Sequence, residues 1–229
     1  MIASALAIMT RSTSDPRLKA PLATRIPALR NRCELALGFI DDLADRCRAL
    51  PDVSLRLAVT PPVAGLRVDR SGLAGETFLT QRGASLADRQ RHVFEDLAAS
   101  GFTRIVLIGA NIPDVPLDHL RQAFDALVPD ASVVALGPTD VGGCYLIGMS
   151  VRPGSVLDDV FSPVRWNSPY AADDLTSAAA RLGLSVRRLE RWNRVDAPDD
   201  LDGLVTRLRH APEAAPHTAA VLRKLGLLR

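Results

Sequence analysis

RIVLIG, residues Arg104–Gly109, runs directly into Ala110-Asn111-Ile112-Pro113-Asp114, and the reading of this stretch decides the fold. The first six residues are mostly branched aliphatics without polar alternation, the pattern of a strand buried on both faces in a parallel sheet. After the turn, Leu117, Leu120, Phe124 and Leu127 recur at steps of three and four, which predicts a helix. One strand, one tight loop and one helix thus make half of a βαβ unit.

The same alternation extends outward in both directions. Upstream, Ser85 has Asp88 three residues on, an N-cap signature, and Leu86, Val93, Phe94 and Leu97 supply the apolar face of a helix closed by Gly101. Val53–Thr60 (VSLRLAVT) alternates as a strand and stops at Pro61-Pro62. Ile26, Leu29, Cys33, Leu37, Ile40, Leu43 and Cys47 mark a long amphipathic helix. The apolar run Ile2 to Met9 has no basic leader and is too short to span a bilayer, so it reads as a buried first strand. Downstream, Ser132–Gly137 (SVVALG) and Cys144–Met149 (CYLIGM) are two more strands around a Pro and Gly turn. Trp166-Asn167-Ser168-Pro169 opens a helix through Ala180, Ser185–Trp192 reads as a strand, and Val221, Leu222 and Leu225 belong to a final helix. Such alternation implies a three-layer α/β/α sandwich with a mostly parallel, mixed sheet. We divide the chain into one domain over residues 1–210 and a helical tail over 211–229.

Composition narrows the function classes. With 229 residues, 47% hydrophobic and 24% charged, the chain can bury one large core. A net charge of +2 gives no reason to expect nucleic acid or a membrane surface as partner, and no stretch approaches the length of a membrane span. Cys33 and Cys47 on one helix lie about 21 Å apart, beyond disulfide reach. With Cys144 and four scattered histidines, this fits a reducing, cytoplasmic setting without a zinc site.

In a sheet of this kind ligands sit beyond the carboxyl ends of the strands, here Thr10–Pro21, Ala110–Pro116 and Pro138–Gly143. In the first loop Thr10, Arg11 and Arg17 face that end, where two guanidinium groups either grip a pyrophosphate or are merely solvated. Arg89, at the start of the helix after Gly83, has the same two readings. Asp114 either holds a divalent cation against a diphosphate or caps the helix that follows. Gly142 and Gly143 allow close backbone approach to a ligand, or simply turn a hairpin. Asp196 is a candidate ligand, although Asp196-Ala197-Pro198-Asp199 also reads as an N-cap with Pro in the first turn and an acid at the third position.

Taken in order, these segments resemble the glycosyltransferase-like family of the GT-A (nucleotide-diphospho-sugar transferase) superfamily, of the radical-SAM-associated type. More distantly they resemble 2-phospholactate guanylyltransferase and the molybdenum-cofactor nucleotidyltransferases. The segments are Ala7–Arg11, Arg17-Leu18, Gln81–Arg89, Leu107–Asp114, Gly137–Gly148, Trp166–Pro169 and Val195–Leu201. The resemblance implies a nucleotide-activated sugar or a nucleoside triphosphate as partner, with Thr10, Arg11, Arg17, Arg89 and Asn111 on the nucleotide. It implies an acceptor side built from Gly142, Gly143, Trp166 and Ser168, and catalytic acids among Asp114, Asp140 and Asp196. It also implies Mg2+ or Mn2+, yet three replacements point to a metal site weakened or lost. Asn111 stands where the family's metal-binding Asp belongs, Val141 replaces an acid of the DGG triplet, and Asp15 replaces a phosphate-facing Lys. Two readings follow: a transferase with altered chemistry, or a non-catalytic relative that keeps the scaffold for binding.

Overall fold

The structure is a computed structural model, and it describes residues 3–60, 78–128, 132–151 and 157–229. Its centre is a seven-stranded sheet made of β1 (Ser4–Thr10), β2 (Val53–Val59), β3 (Phe78–Thr80), β4 (Arg104–Gly109), β5 (Val133–Pro138), β6 (Cys144–Ser150) and β7 (Ser185–Arg188), in the spatial order β3-β2-β1-β4-β6-β5-β7. Every neighbouring pair is parallel except the two made by β6, which runs antiparallel to both β4 and β5. The expected mostly parallel, mixed sheet is therefore present. Ile2, the first residue of the expected opening strand, lies outside the described residues. The three-residue β3 carried no periodicity long enough to be read from the sequence.

The helices are α1 (Leu29–Arg48), α2 (Leu86–Ala99), α3 (Leu117–Ala126), α4 (Asp158–Phe161), α5 (Ala171–Arg181), α6 (Pro198–His210) and α7 (Pro216–Lys224). Strand alternation sorts them into layers, because successive side chains point to opposite faces. On one face Ala5, Ala7, Ile105 and Leu107 meet Phe94 and Leu97 of α2, Phe161 of α4 and Leu175 of α5. On the other Leu6, Ile8, Val106 and Ile108 meet Ile40 and Leu43 of α1 and Leu120 and Phe124 of α3. Burial on both faces is why RIVLIG shows no polar alternation.

A third cluster lies outside α1. Leu35 and Phe39 of that helix pack on Leu201, Leu204 and Leu208 of α6 and on Ala219 and Leu222 of α7. The tail thus docks on α1, and one carboxylate fastens it. Asp42, fully buried, accepts the backbone N–H groups of His217 and Thr218 at 2.9 Å each. These are first-turn donors of a helix whose own N-cap, Ala215, has no side chain to satisfy them. Burial raises the Asp42 carboxyl above the usual carboxylate range against the pull of those bonds.

The helix starts show where local signals suffice. Ser85 forms the predicted capping box, its Oγ accepting the Asp88 N–H at 3.0 Å. The α6 start differs by one residue. Its N-cap is Ala197 and Asp200 is the acid at the third position, accepting the N–H groups of Ala197 at 2.8 Å and Asp196 at 3.0 Å. Asp196 is therefore not the cap, and its side chain is left for other work.

Candidate functional site

At the carboxyl ends of β1 and β4 the sheet opens into a cleft of about 700 Å³, well within the range of small-molecule sites. Gly143 and the start of β6 (Cys144 to Ile147) form one wall. Thr10, Arg11 and Arg17 enter from the loop after β1, and Gln81, Arg89 and Gln90 from the start of α2 and the residues before it. Trp166, Ser168 and Ala171 border α5, and Arg194 and Asp196 come from the segment before α6.

The first loop is built around Asp15. Its buried carboxylate accepts the Arg17 backbone N–H at 2.9 Å, Arg17 Nε at 3.0 Å and Nη2 at 3.1 Å, and Arg11 Nη1 at 3.1 Å. The Arg17 side chain beside it, with burial opposing, holds the Asp15 carboxyl down at about 2. Asp15 is thus more than a lost base. It binds both arginines from below while their side chains stay open to the cleft, 43% and 72% exposed.

Asn111 and Asp196 meet across the cleft floor. Asn111 Nδ2 donates to Asp196 Oδ1 at 2.6 Å, and Arg194 Nε forms an ion pair with Asp196 Oδ2 at 3.1 Å. The carboxylate fixes the amide orientation, since only the NH2 side can donate to it. Asn111 Oδ1 is consequently turned toward Gly109, lying 2.5 Å from where a Cβ on that glycine would sit, and it has no hydrogen-bond partner. Gln90 Oε1, also in the lining, is a second buried acceptor without a partner. The 194–196 backbone is held as well: Val195 N donates to Asn111 O at 2.7 Å, and Lys19 Nζ donates to Val195 O at 3.3 Å. Desolvation lowers the Lys19 ammonium to about 8, despite the nearby Asp196 charge.

The other two candidate acids lie elsewhere. Asp114 is not in the cleft lining; it is buried under α6, where Arg207 Nε donates to it at 2.6 Å and Trp192 Nε1 at 3.4 Å. It does not cap α3 either, whose N-cap is Pro116 without a side-chain bond. Asp140 faces solvent on the hairpin turn, where Asn193 Nδ2 donates to it at 2.5 Å and Arg191 lies 3.8 Å away. Asp140 and Asp114 therefore do not converge with Asn111.

The glycine pair has two distinct tasks. Gly142 (φ 82°) lies against α5: its carbonyl accepts the Ala172 N–H at 3.0 Å, and a Cβ there would fall 1.8 Å from Pro169 O. Gly143 lines the cleft beside Arg194. Trp166 and Ser168 are held by Trp166 Nε1 donating to Phe161 O at 3.0 Å and Ser168 Oγ donating to Arg165 O at 2.6 Å. Thr10 Oγ1 donates to Arg11 O at 3.2 Å, and Arg89 Nη1 to Ala84 O at 3.2 Å. Cys144 also lines the cleft, but burial pushes its thiol up to about 12, so it stands as a neutral thiol. Arg194, Gln81 and Gln90 are cleft residues that were not among the sequence-based candidates.

A protein-family model described as "Uncharacterized protein conserved in bacteria (DUF2064)" matches residues 43–168. The chain belongs to this family. No curated protein matches it in sequence. A solved structure from Desulfovibrio desulfuricans G20, provisionally named a nucleotide-diphospho-sugar transferase, is similar with a TM-score of 0.82 and 27% identity over 98% of this chain and 95% of that one. A cytidylyltransferase from Leptospira borgpetersenii serovar Hardjo-bovis shares the fold at a TM-score of 0.55 and 14% identity, over 98% of this chain and 95% of that one. CMP:2-keto-3-deoxy-manno-octonic acid synthetase, solved with CTP, shares it at 0.51 and 16% identity, over 92% of this chain and 100% of that one. The chain thus has the nucleotide-diphospho-sugar transferase fold. No helix among the described residues is long and apolar enough to cross a membrane.

Do the residues present fit the Mg2+ or Mn2+ that such a fold implies? Such ions take oxygen ligands, usually one or two carboxylates together with phosphates. Asp196 is the carboxylate of the lining; one of its oxygens accepts from Asn111 and the other is ion-paired with Arg194. Asn111 Oδ1 points away from it, toward Gly109. Among the described residues, no group of three or more His, Cys, Asp or Glu side chains is placed to hold an ion. The donor set does not fit.

Proposed function

We propose that the cleft binds a nucleotide-activated sugar or a nucleoside triphosphate, and that the protein is a glycosyltransferase-like or nucleotidyltransferase-like member of its family with a degenerate metal site. The observation that carries this is the charge of the lining: Arg11, Arg17, Arg89 and Arg194 face one carboxylate, Asp196, at the strand ends where this fold takes its ligands. A polyphosphate is the natural counter-charge for several guanidinium forks. Gly143, Trp166 and Ser168 also border the cleft and are suited to an acceptor or a sugar. Kinship with the GT-A enzymes, the radical-SAM-associated type and 2-phospholactate guanylyltransferase fits this reading, as does a cytoplasmic site of action.

Asp196 is the group we assign to proton transfer or acceptor orientation, since Asp114 and Asp140 lie outside the lining. Its engagement by Asn111 and Arg194 also favours a second reading, a non-catalytic relative that binds a nucleotide without turning it over. Calorimetric titration with UDP-glucose, GDP-mannose, CTP and GTP in the presence of Mn2+ tests the binding step. The expected result is saturable binding of at least one of them, weakened about tenfold in Arg89→Ala; silence from all four overturns the proposal. Release of nucleoside diphosphate or pyrophosphate from the bound ligand with an acceptor panel separates the two readings.

A further inference from the structure

The geometry points to Arg194 as the group that takes the place of the divalent cation in this cleft, so that phosphates bind to a guanidinium docked on Asp196 and need no metal ion. This rests on the nucleotide reading above and goes further by naming what neutralises the phosphates.

Asp196 is where a metal-dependent site would begin. Here each of its oxygens meets a nitrogen donor, Asn111 Nδ2 at 2.6 Å and Arg194 Nε at 3.1 Å. An ion bound to this carboxylate would have to displace one of them and then sit beside a guanidinium charge. Arg194 already delivers a positive charge to the same oxygen. Its orientation is set on two sides: Nε by Asp196, and Nη1 by the Cys144 carbonyl at 3.4 Å. The backbone that carries it is tied to Asn111 O through Val195 N at 2.7 Å and to Lys19 Nζ through Val195 O at 3.3 Å. The remaining terminal nitrogen, Nη2, lies 3.5 Å from where a Cβ on Gly143 would sit. Gly143 and Arg194 both line the cleft, so the guanidinium lies at its wall. The group is 30% exposed, enough to meet a ligand and little enough to stay ordered.

The rest of the cleft agrees. Asp15 orders Arg11 and Arg17 from below at 3.0–3.1 Å, so these two forks are also in place before any ligand arrives. Four guanidinium groups against Asp196 and Asp15 leave two unbalanced positive charges, the charge that one divalent cation would have brought. Planar forks also match pairs of phosphate oxygens better than a point charge does.

The test is calorimetry on the full chain with UDP-glucose, GDP-mannose, CTP and GTP, each in EDTA and in Mn2+. The unmodified chain is expected to bind the same ligand in both buffers with affinities within about threefold. Arg194→Ala is expected to lose at least tenfold in EDTA, to keep its affinity for the matching nucleoside monophosphate within threefold, and to recover part of the loss in Mn2+ because Asp196 is then released. Arg194→Gln, which keeps a planar amide at Asp196, serves if the alanine variant does not fold and carries the same prediction in EDTA. Binding by the unmodified chain in Mn2+ alone overturns this inference and leaves the nucleotide reading standing. Equal binding by Arg194→Ala and the unmodified chain in EDTA overturns it too. Silence in both buffers overturns both.

Discussion

Replacing Asp15 by Asn isolates the charge on which the first loop depends. In the folded chain the carboxylate takes four donors, three from Arg17 and one from Arg11, all between 2.9 and 3.1 Å. Its pKa falls from 3.8 to about 2, and every tenfold change in proton affinity corresponds to about 1.4 kcal/mol. Undiscounted, that is roughly 2.5 kcal/mol, but the two arginines are largely solvated and screening reduces such pairs. We expect Asp15→Asn to cost about 1–2 kcal/mol at pH 7. The sign of the pH dependence follows from the depressed pKa. The contribution is fully present above the unfolded value near 4 and is lost as pH falls through about 2. Urea denaturation of both proteins at pH 7, 4, 3 and 2 is the assay. The two stability curves should converge toward pH 2 while differing at pH 7. An unchanged midpoint at pH 7, or a gap that stays constant down to pH 2, refutes the claim that Asp15 organises the loop through charge.

Three further outcomes are expected. Asp42→Ala removes the acceptor for two first-turn N–H groups of α7, that of Thr218 buried; it should cost about 2–4 kcal/mol by chemical denaturation and raise amide exchange in residues 217–224. Asn111→Asp places a second carboxylate at 2.6 Å from the first; Mn2+ should raise its melting temperature by several degrees and leave that of the unmodified chain unchanged. Gly142→Ala puts a Cβ at 1.8 Å from Pro169 O at a φ of 82°; the strain should cost at least about 2 kcal/mol in thermal melts, whereas Gly183→Ala, with open space at its Cβ, should cost about 1 kcal/mol.

The fold was legible wherever its cause is local. RIVLIG has no polar alternation because α-helices cover both faces of β4, and Ser85 with Asp88 spells out its own capping box. The misplaced α6 start shows the limit of such reading. Asp199 and Asp200 are adjacent acids, and which of them takes the third position depends on whether Ala197, a poor cap by residue type, closes the helix. Residues of the cleft lining were legible when they lie on a strand-end loop, as with Arg11, Arg17 and Asn111. Asp114 was not, because the partner that buries it, Arg207, is 93 positions away on α6. Arg194 sits in an irregular stretch after β7 with no periodicity. Its closeness in sequence to Asp196 was the one available signal. The replacement at Asp15 was visible as a loss of positive charge, but its use as a clamp for two arginines required the loop's folded shape.

What the cleft holds is measured directly by a crystal structure of the chain soaked with CTP or UDP-glucose in EDTA. Phosphate density is expected within hydrogen-bond reach of Arg194 Nη2 and of the Arg11–Arg17 pair, with Asn111 Nδ2 still on Asp196. Phosphates bound elsewhere on the surface, or an empty cleft at saturating ligand, would contradict it.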